Sequence, residues 1–141
     1  MTRERTENSW EQHAKWWQDG FTEGADEEYE EQIIPLAKDL LVGYKKILDV
    51  GTGEGQISRT LFESGAETVI GIDPTCNQIV EANKRGGGPS YLRGKSEQLP
   101  FDESSFDAAV ACLVFEHIEA MDSAIGEIAR ILKPNAKFLF F

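Results

Sequence analysis

The chain is poor in cysteine, with only Cys76 and Cys112 among 141 residues. Two thiols form no spaced framework, so a disulfide-stapled scaffold is excluded and a reduced, cytoplasmic setting is expected. No apolar run approaches the roughly 20 residues that a membrane-spanning helix needs. The charged start MTRERTENSW leads into no apolar stretch, so a secretory signal is not expected either. Basic residues are scarce: 14 Lys and Arg stand against 25 Asp and Glu, a formal net charge of −11. Such a surface repels a phosphate backbone and no local basic patch offsets it, so nucleic acid is not an expected partner. No spaced His, Cys or acid cluster marks a metal site. What remains, 40% hydrophobic and 28% charged residues, is an ordinary balance for one globular domain.

The chain divides near residue 45. Residues 1–45 are acidic, centred on Asp26-Glu27-Glu28-Tyr29-Glu30-Glu31, and rich in aromatics: Trp10, Trp16, Trp17 and Phe21. Helices are expected at Ser9–Trp17 and from Glu27 to Leu41, the second bent or restarted at Pro35. From Lys46 onward short strands alternate with helices. Strands are expected at Lys46–Val50, Thr68–Ile72, Tyr91–Arg93, Phe106–Leu113 and Ala136–Phe141. Helices are expected at Gly55–Ser64, Asn77–Lys84 and Asp122–Leu132, the last burying Ile125, Ile128, Ala129 and Leu132. This alternation implies parallel pairing with helices on both faces, a doubly wound α/β, Rossmann-like sheet.

Ile47-Leu48-Asp49-Val50-Gly51-Thr52-Gly53-Glu54-Gly55 joins the first strand to the first helix of that sheet. In open α/β sheets ligands bind beyond the carboxyl ends of the strands, where this loop falls. Its glycines permit positive φ and a close approach of backbone to ligand. The second strand then runs into Asp73, about 20 residues on, where an acid grips ribose hydroxyls. A dinucleotide fingerprint would need glycine at position 56, which is Gln56. Glu54 would also place a negative charge beside the pyrophosphate. A ligand with a cationic sulfonium and no phosphate suits these acids better.

ILDVGTGEG, VIGIDPT, GKSEQLPFDESSFDAAVACLVFEHI and EIARILKPNAKFLF together resemble class I S-adenosylmethionine-dependent methyltransferases, in the branch similar to quinone-biosynthesis C-methyltransferases. The resemblance covers about residues 46–141 with four motifs in order. It implies S-adenosyl-L-methionine as cofactor, S-adenosyl-L-homocysteine as product, and methyl transfer to a small-molecule acceptor. Asp49 would meet the methionyl amine, directly or through water. Gly51, Thr52, Gly53 and Gly55 would line the methionine and ribose. Asp73 would accept both ribose hydroxyls, with Pro74 near the adenine and Ser96 and Glu97 at its edge. Cys112 and Leu113 would offer backbone contacts to the methionyl group. Residues 1–45 would form a helical cap over the cofactor, with Trp17 as its contact. His117 is a weak candidate for a general base.

Two positions depart from the family pattern. Lys95 stands where members usually carry an acid that accepts a bond from the adenine amino group, and lysine has no acceptor. Pro134-Asn135-Ala136 replaces the usual Pro-Gly-Gly turn, which Asn135 tolerates through its ease at positive φ. The rival readings are a non-catalytic S-adenosylmethionine-binding regulatory module and, weakened by Gln56 and Glu54, a nicotinamide oxidoreductase. Family sheets resemble the order 3-2-1-4-5-7-6, so an end at Phe138-Leu139-Phe140-Phe141 implies a chain lacking the last two strands. An apolar fifth strand of this kind is expected to pair in the sheet and to self-associate through its free edge.

Overall fold

The computed structural model describes residues 32–112 and 118–141. Helices α1 (Ile34–Leu41), α2 (Gln56–Glu63), α3 (Cys76–Arg85) and α4 (Ile118–Ile131) surround five strands. These are β1 (Lys46–Val50), β2 (Thr68–Asp73), β3 (Ser90–Arg93), β4 (Phe106–Ala111) and β5 (Leu132–Phe140). The sheet order is β3-β2-β1-β4-β5 and every pairing is parallel, as the alternation of elements requires. The order reverses between β1 and β4, so the crevice for a ligand lies at their carboxyl ends.

Residues of β1 alternate between the two faces, as strand geometry dictates. Ile47 joins Ala37, Leu41, Ile57, Leu61, Val69, Ala108 and Val110 under α1 and α2. Leu48 and Val50 join Ile72, Ala109, Ala111, Ile128 and Ile131 under α4. Asp49 has the parity of Ile47 and so faces α2, which decides its partners. The described part of the N-terminal segment, α1, is one of the helices that cover the sheet. It begins at Ile34 with Pro35 in its first turn, where a missing N–H costs nothing. The rest of the expected cap, residues 1–31, lies outside the described residues.

The fourth helix corrects the expected buried face. Ala124, Ile128 and Ile131 are buried, whereas Ile125 and Ala129 are exposed and Leu132 is half-buried in β5. Both stripes have helical spacing. Glu127 and Arg130 decide between them, because they turn toward the segment before β4. Arg130 Nη1 donates to the Phe101 carbonyl at 2.8 Å and Nη2 to that of Leu99 at 3.0 Å. Glu127 Oε1 accepts the Leu99 N–H at 2.9 Å, and its Oε2 takes the Arg130 Nε–H at 2.6 Å. These bonds hold the Glu127 carboxyl below its usual range, Arg130 contributing most and the Leu99 amide next.

β5 departs from a plain strand. Leu132 pairs with Phe106, and pairing resumes from Lys137 opposite Ala108 through Phe140 opposite Ala111. The residues between them bulge out, with Asn135 at φ 66°, the left-handed turn expected of it. Phe138 and Phe140 thus lie in the sheet. At the amino ends of the strands Asp107 accepts the N–H groups of Lys45 and Lys46, at 2.9 and 2.7 Å, and ties the start of β1 to β4.

Candidate functional site

The loop after β1 turns on three glycines with positive φ: Gly51 at 75°, Gly53 at 58° and Gly55 at 89°. The amides of Gly51 and Thr52 both donate to the Ile72 carbonyl, at 2.8 and 2.9 Å, which folds the loop over the end of β2. Gly55 caps α2 and abuts the Tyr91 hydroxyl, so a Cβ there would stand 2.5 Å from that oxygen. Gly53 differs. A Cβ on it would meet nothing closer than Gln78 Nε2 at 3.8 Å, so its backbone conformation alone asks for glycine.

Two acids sit under this loop. Asp73, 8% exposed at the end of β2, takes the Gly53 N–H on Oδ2 at 3.0 Å. Its Oδ1 accepts the Thr75 N–H at 3.0 Å and the Thr75 hydroxyl at 2.7 Å. The loop and this acid, 20 residues apart, are thus joined by a direct bond. Asp49 is 1% exposed and its Oδ2 accepts the hydroxyls of Thr52, at 2.9 Å, and Ser58, at 2.7 Å. Burial raises its carboxyl from 3.8 to about 6, against the pull of these hydrogen bonds, and repulsion from Asp73 adds to the rise.

Glu54 corrects an argument from charge. Its side chain is 2% exposed and Oε2 lies 3.8 Å from Arg85 Nη2, so it faces a guanidinium inside the fold. The preference for a cationic ligand over a pyrophosphate therefore rests on Asp49 and Asp73.

The remaining expected residues spread outward. Pro74 is half-buried just past β2, and its carbonyl accepts the Arg93 Nε–H at 3.0 Å. Ser96 and the exposed Glu97 follow β3 and bond each other, Oγ to Oε1, at 2.8 Å. Their loop hangs from the Gly94 N–H, which donates to the Asp73 carbonyl at 3.0 Å. β4 ends at Ala111, two residues before the expected Leu113, and the Cys112 N–H donates to the Val50 carbonyl at 3.3 Å beside the glycine loop. Cys112 is half-buried and forms no disulfide among the described residues. Trp17, Leu113 and His117 lie outside the described residues. Among the described residues no group of His, Cys and acids could hold a metal ion, and no helix is long and apolar enough to cross a membrane.

Sequence reasoning passed over four residues that build this site. Thr75 fixes Asp73, and Ser58 fixes Asp49. Gly71, opposite Asp49 on β2, leaves the space that the Thr52 side chain fills, and a Cβ at 71 would collide with Thr52 Oγ1. Tyr91 closes the space beneath Gly55, its hydroxyl donating to the Gly86 carbonyl at 3.3 Å. The signals were present: a glycine between Ile70 and Ile72 marks a close approach. A serine beside Ile57 on a buried helix face marks a polar partner within.

A family model described as a methyltransferase domain matches residues 48–140. The demethylmenaquinone methyltransferase of Thermus thermophilus is 33% identical over 122 residues, which cover 82% of this chain and 54% of that protein. An S-adenosylmethionine-dependent methyltransferase of Methanosarcina mazei superposes with a TM-score of 0.67 at 29% identity, over 75% of this chain and 56% of that one. The [4+2]-cyclase SpnF superposes with a TM-score of 0.65 at 31% identity, over 74% of this chain and 41% of that one. The chain thus spans about half the length of such relatives.

Proposed function

Because the chain belongs to the methyltransferase domain family, in its class I S-adenosylmethionine-dependent form, we propose that it binds S-adenosylmethionine over the carboxyl ends of β1 and β2 and moves its methyl group to a small-molecule acceptor. The observation that carries this reading is the Gly53 amide seated on the Asp73 carboxylate. That bond brings a backbone able to approach a ligand closely within reach of an acid able to grip a diol. The residues fit the cofactor's chemistry. Two acids stand beneath the loop, which suits a cation and a ribose and repels a pyrophosphate.

Gly51, Thr52, Gly53 and Gly55 line the methionine and ribose in this reading, and Asp73 accepts the ribose hydroxyls. Pro74, Ser96 and Glu97 border the adenine. In the same reading Cys112 and Leu113 would approach the methionyl group through their backbone, Trp17 would be the contact of the cap, and His117 is the candidate base. When bound, S-adenosylmethionine supplies an electrophilic methyl on a sulfonium. The chain's own task is to orient and to exclude water, which together lower the barrier to an in-line displacement without a dedicated base. The acceptor is of the small-molecule class, on the strength of relatives named for demethylmenaquinone.

SpnF shows that the same fold also carries a protein named as a cyclase, so the test must be chemical. Calorimetric titration with S-adenosylmethionine, followed by incubation with methyl-labelled cofactor and a metabolite mixture, decides it. Binding with label recovered in a small product is the expected result. Binding with no transfer to any component favours the regulatory module, and no binding at all overturns the reading.

A further inference from the structure

Ser58 is fully buried on α2, outside the glycine loop, and its hydroxyl is spent on the loop's acid. Thr52 Oγ1 reaches the same Asp49 oxygen, and the two hydroxyl oxygens stand 3.0 Å apart, so three oxygens form a closed triangle. Each hydroxyl has one proton to give. With Asp49 ionised, both protons can point to its Oδ2; with Asp49 neutral, that oxygen is a weaker acceptor and the triangle loosens. Thr52 has little freedom to respond. Its side chain fills the space left by Gly71, and its N–H is tied to the Ile72 carbonyl. The next amide along the chain is that of Gly53, which meets Asp73.

We propose that Ser58 is a positioning residue for the cofactor, holding Asp49 and through it Thr52, so that the Gly53 amide stays on Asp73. The proposal rests on the cofactor reading above and adds to it a residue that touches no ligand. The surroundings leave few rivals for this control. Asp73 faces Asp49 from β2; the Tyr91 phenol on β3, raised chiefly by burial, feels both Asp49 and Arg59 of α2, while β4 presents only Ala109, Val110 and Ala111. From α3 the uncharged Gln78 approaches Gly53.

Two measurements on the full 141-residue chain test it. The first is calorimetric titration with S-adenosylmethionine from about pH 5 to pH 8.5, across the range in which a buried carboxyl titrates. Wild type should lose affinity as pH falls through the Asp49 range. Ser58→Ala should bind about tenfold more weakly at neutral pH. Its fall-off should also move to higher pH, because a donor that favours the charged carboxylate is gone. Ser58→Thr should restore both properties, and Asp49→Asn should flatten the profile. The second measurement is amide hydrogen exchange without ligand, where Ser58→Ala should speed exchange at Thr52 and Gly53 and leave β4 unchanged.

A folded Ser58→Ala protein with wild-type affinity, profile and loop exchange would overturn the proposal. So would weaker binding with no movement of the pH profile, since a merely structural role predicts that. Should Ser58→Ala fail to fold, Thr52→Val removes the same triangle from the loop side and must show the same pair of changes. Absence of binding by wild type at every pH would overturn the cofactor reading. The exchange measurement would then still decide whether Ser58 holds the loop.

Discussion

At the amino ends of the strands Asp107 accepts two backbone N–H groups and Glu127 a third, all at or near the surface. At the carboxyl ends Asp73 also accepts backbone N–H groups, but at 8% exposure, and Asp49 is buried with hydroxyls as its donors. One end uses carboxylates to close the fold where water helps to carry the charge. The other keeps them out of water, at a cost to the fold that a ligand can offset. The contrast separates acids that close the fold at its surface from acids held inside it beneath the loop.

Asp49 offers the largest way to break it. An unfolded aspartate titrates near 3.8 and the folded one near 6. Between those values the folded state holds the proton more tightly. Stability is therefore highest below both, falls as pH rises through them, and stays reduced above 6. That displacement corresponds to about 3 kcal/mol. Asp49→Asn should stabilise the chain by up to that amount at pH 7.5 and by almost nothing at pH 4, as read by urea unfolding. An equal gain at both pH values would show that folding leaves the titration of this carboxyl unshifted, and the contrast would fall.

Asp73→Ala comes next, with an expected loss of S-adenosylmethionine affinity of about 1.5–3 kcal/mol from deleting charge-assisted bonds. Calorimetry with unchanged affinity would remove Asp73 from the site. Asp107→Ala should do the reverse and destabilise by about 1–2 kcal/mol while cofactor affinity holds. A matching loss of affinity would erase the distinction between the two ends. The smallest effect is expected of Lys95→Asp, which in the proposed reading restores an acceptor near the adenine and should leave affinity equal or a few-fold tighter, by about 1 kcal/mol at most. A clear loss would give Lys95 a role of its own.

The sheet was legible because period-2 and period-3.6 patterns report which side of an element is wet, and Ile47, Leu48, Ile57 and Leu61 follow them without conflict. The buried face of α4 was not, since the larger apolar Ile125 favoured the wrong stripe over Ala124 and the choice lay with Arg130, whose partners are the carbonyls of Leu99 and Phe101. Main-chain partners leave no mark in a sequence. The glycine loop and Asp73 could be read from spacing. Ser58 marked a buried polar partner without saying which, and Thr75 marked none, because a hydroxyl becomes part of a site only through what the fold sets beside it.

The Arg130 clamp bears on how the loop after β3 could change over generations. It grips Leu99 and Phe101 through their carbonyls, and Glu127 grips the Leu99 amide. A seat made of main-chain atoms is indifferent to the letters written on the segment it holds. Residues 95–98 can thus be rewritten by drift while their loop stays moored to α4. Lysine in place of an acid at position 95 is a change that such a mooring tolerates, leaving the loop open to retuning one side chain at a time.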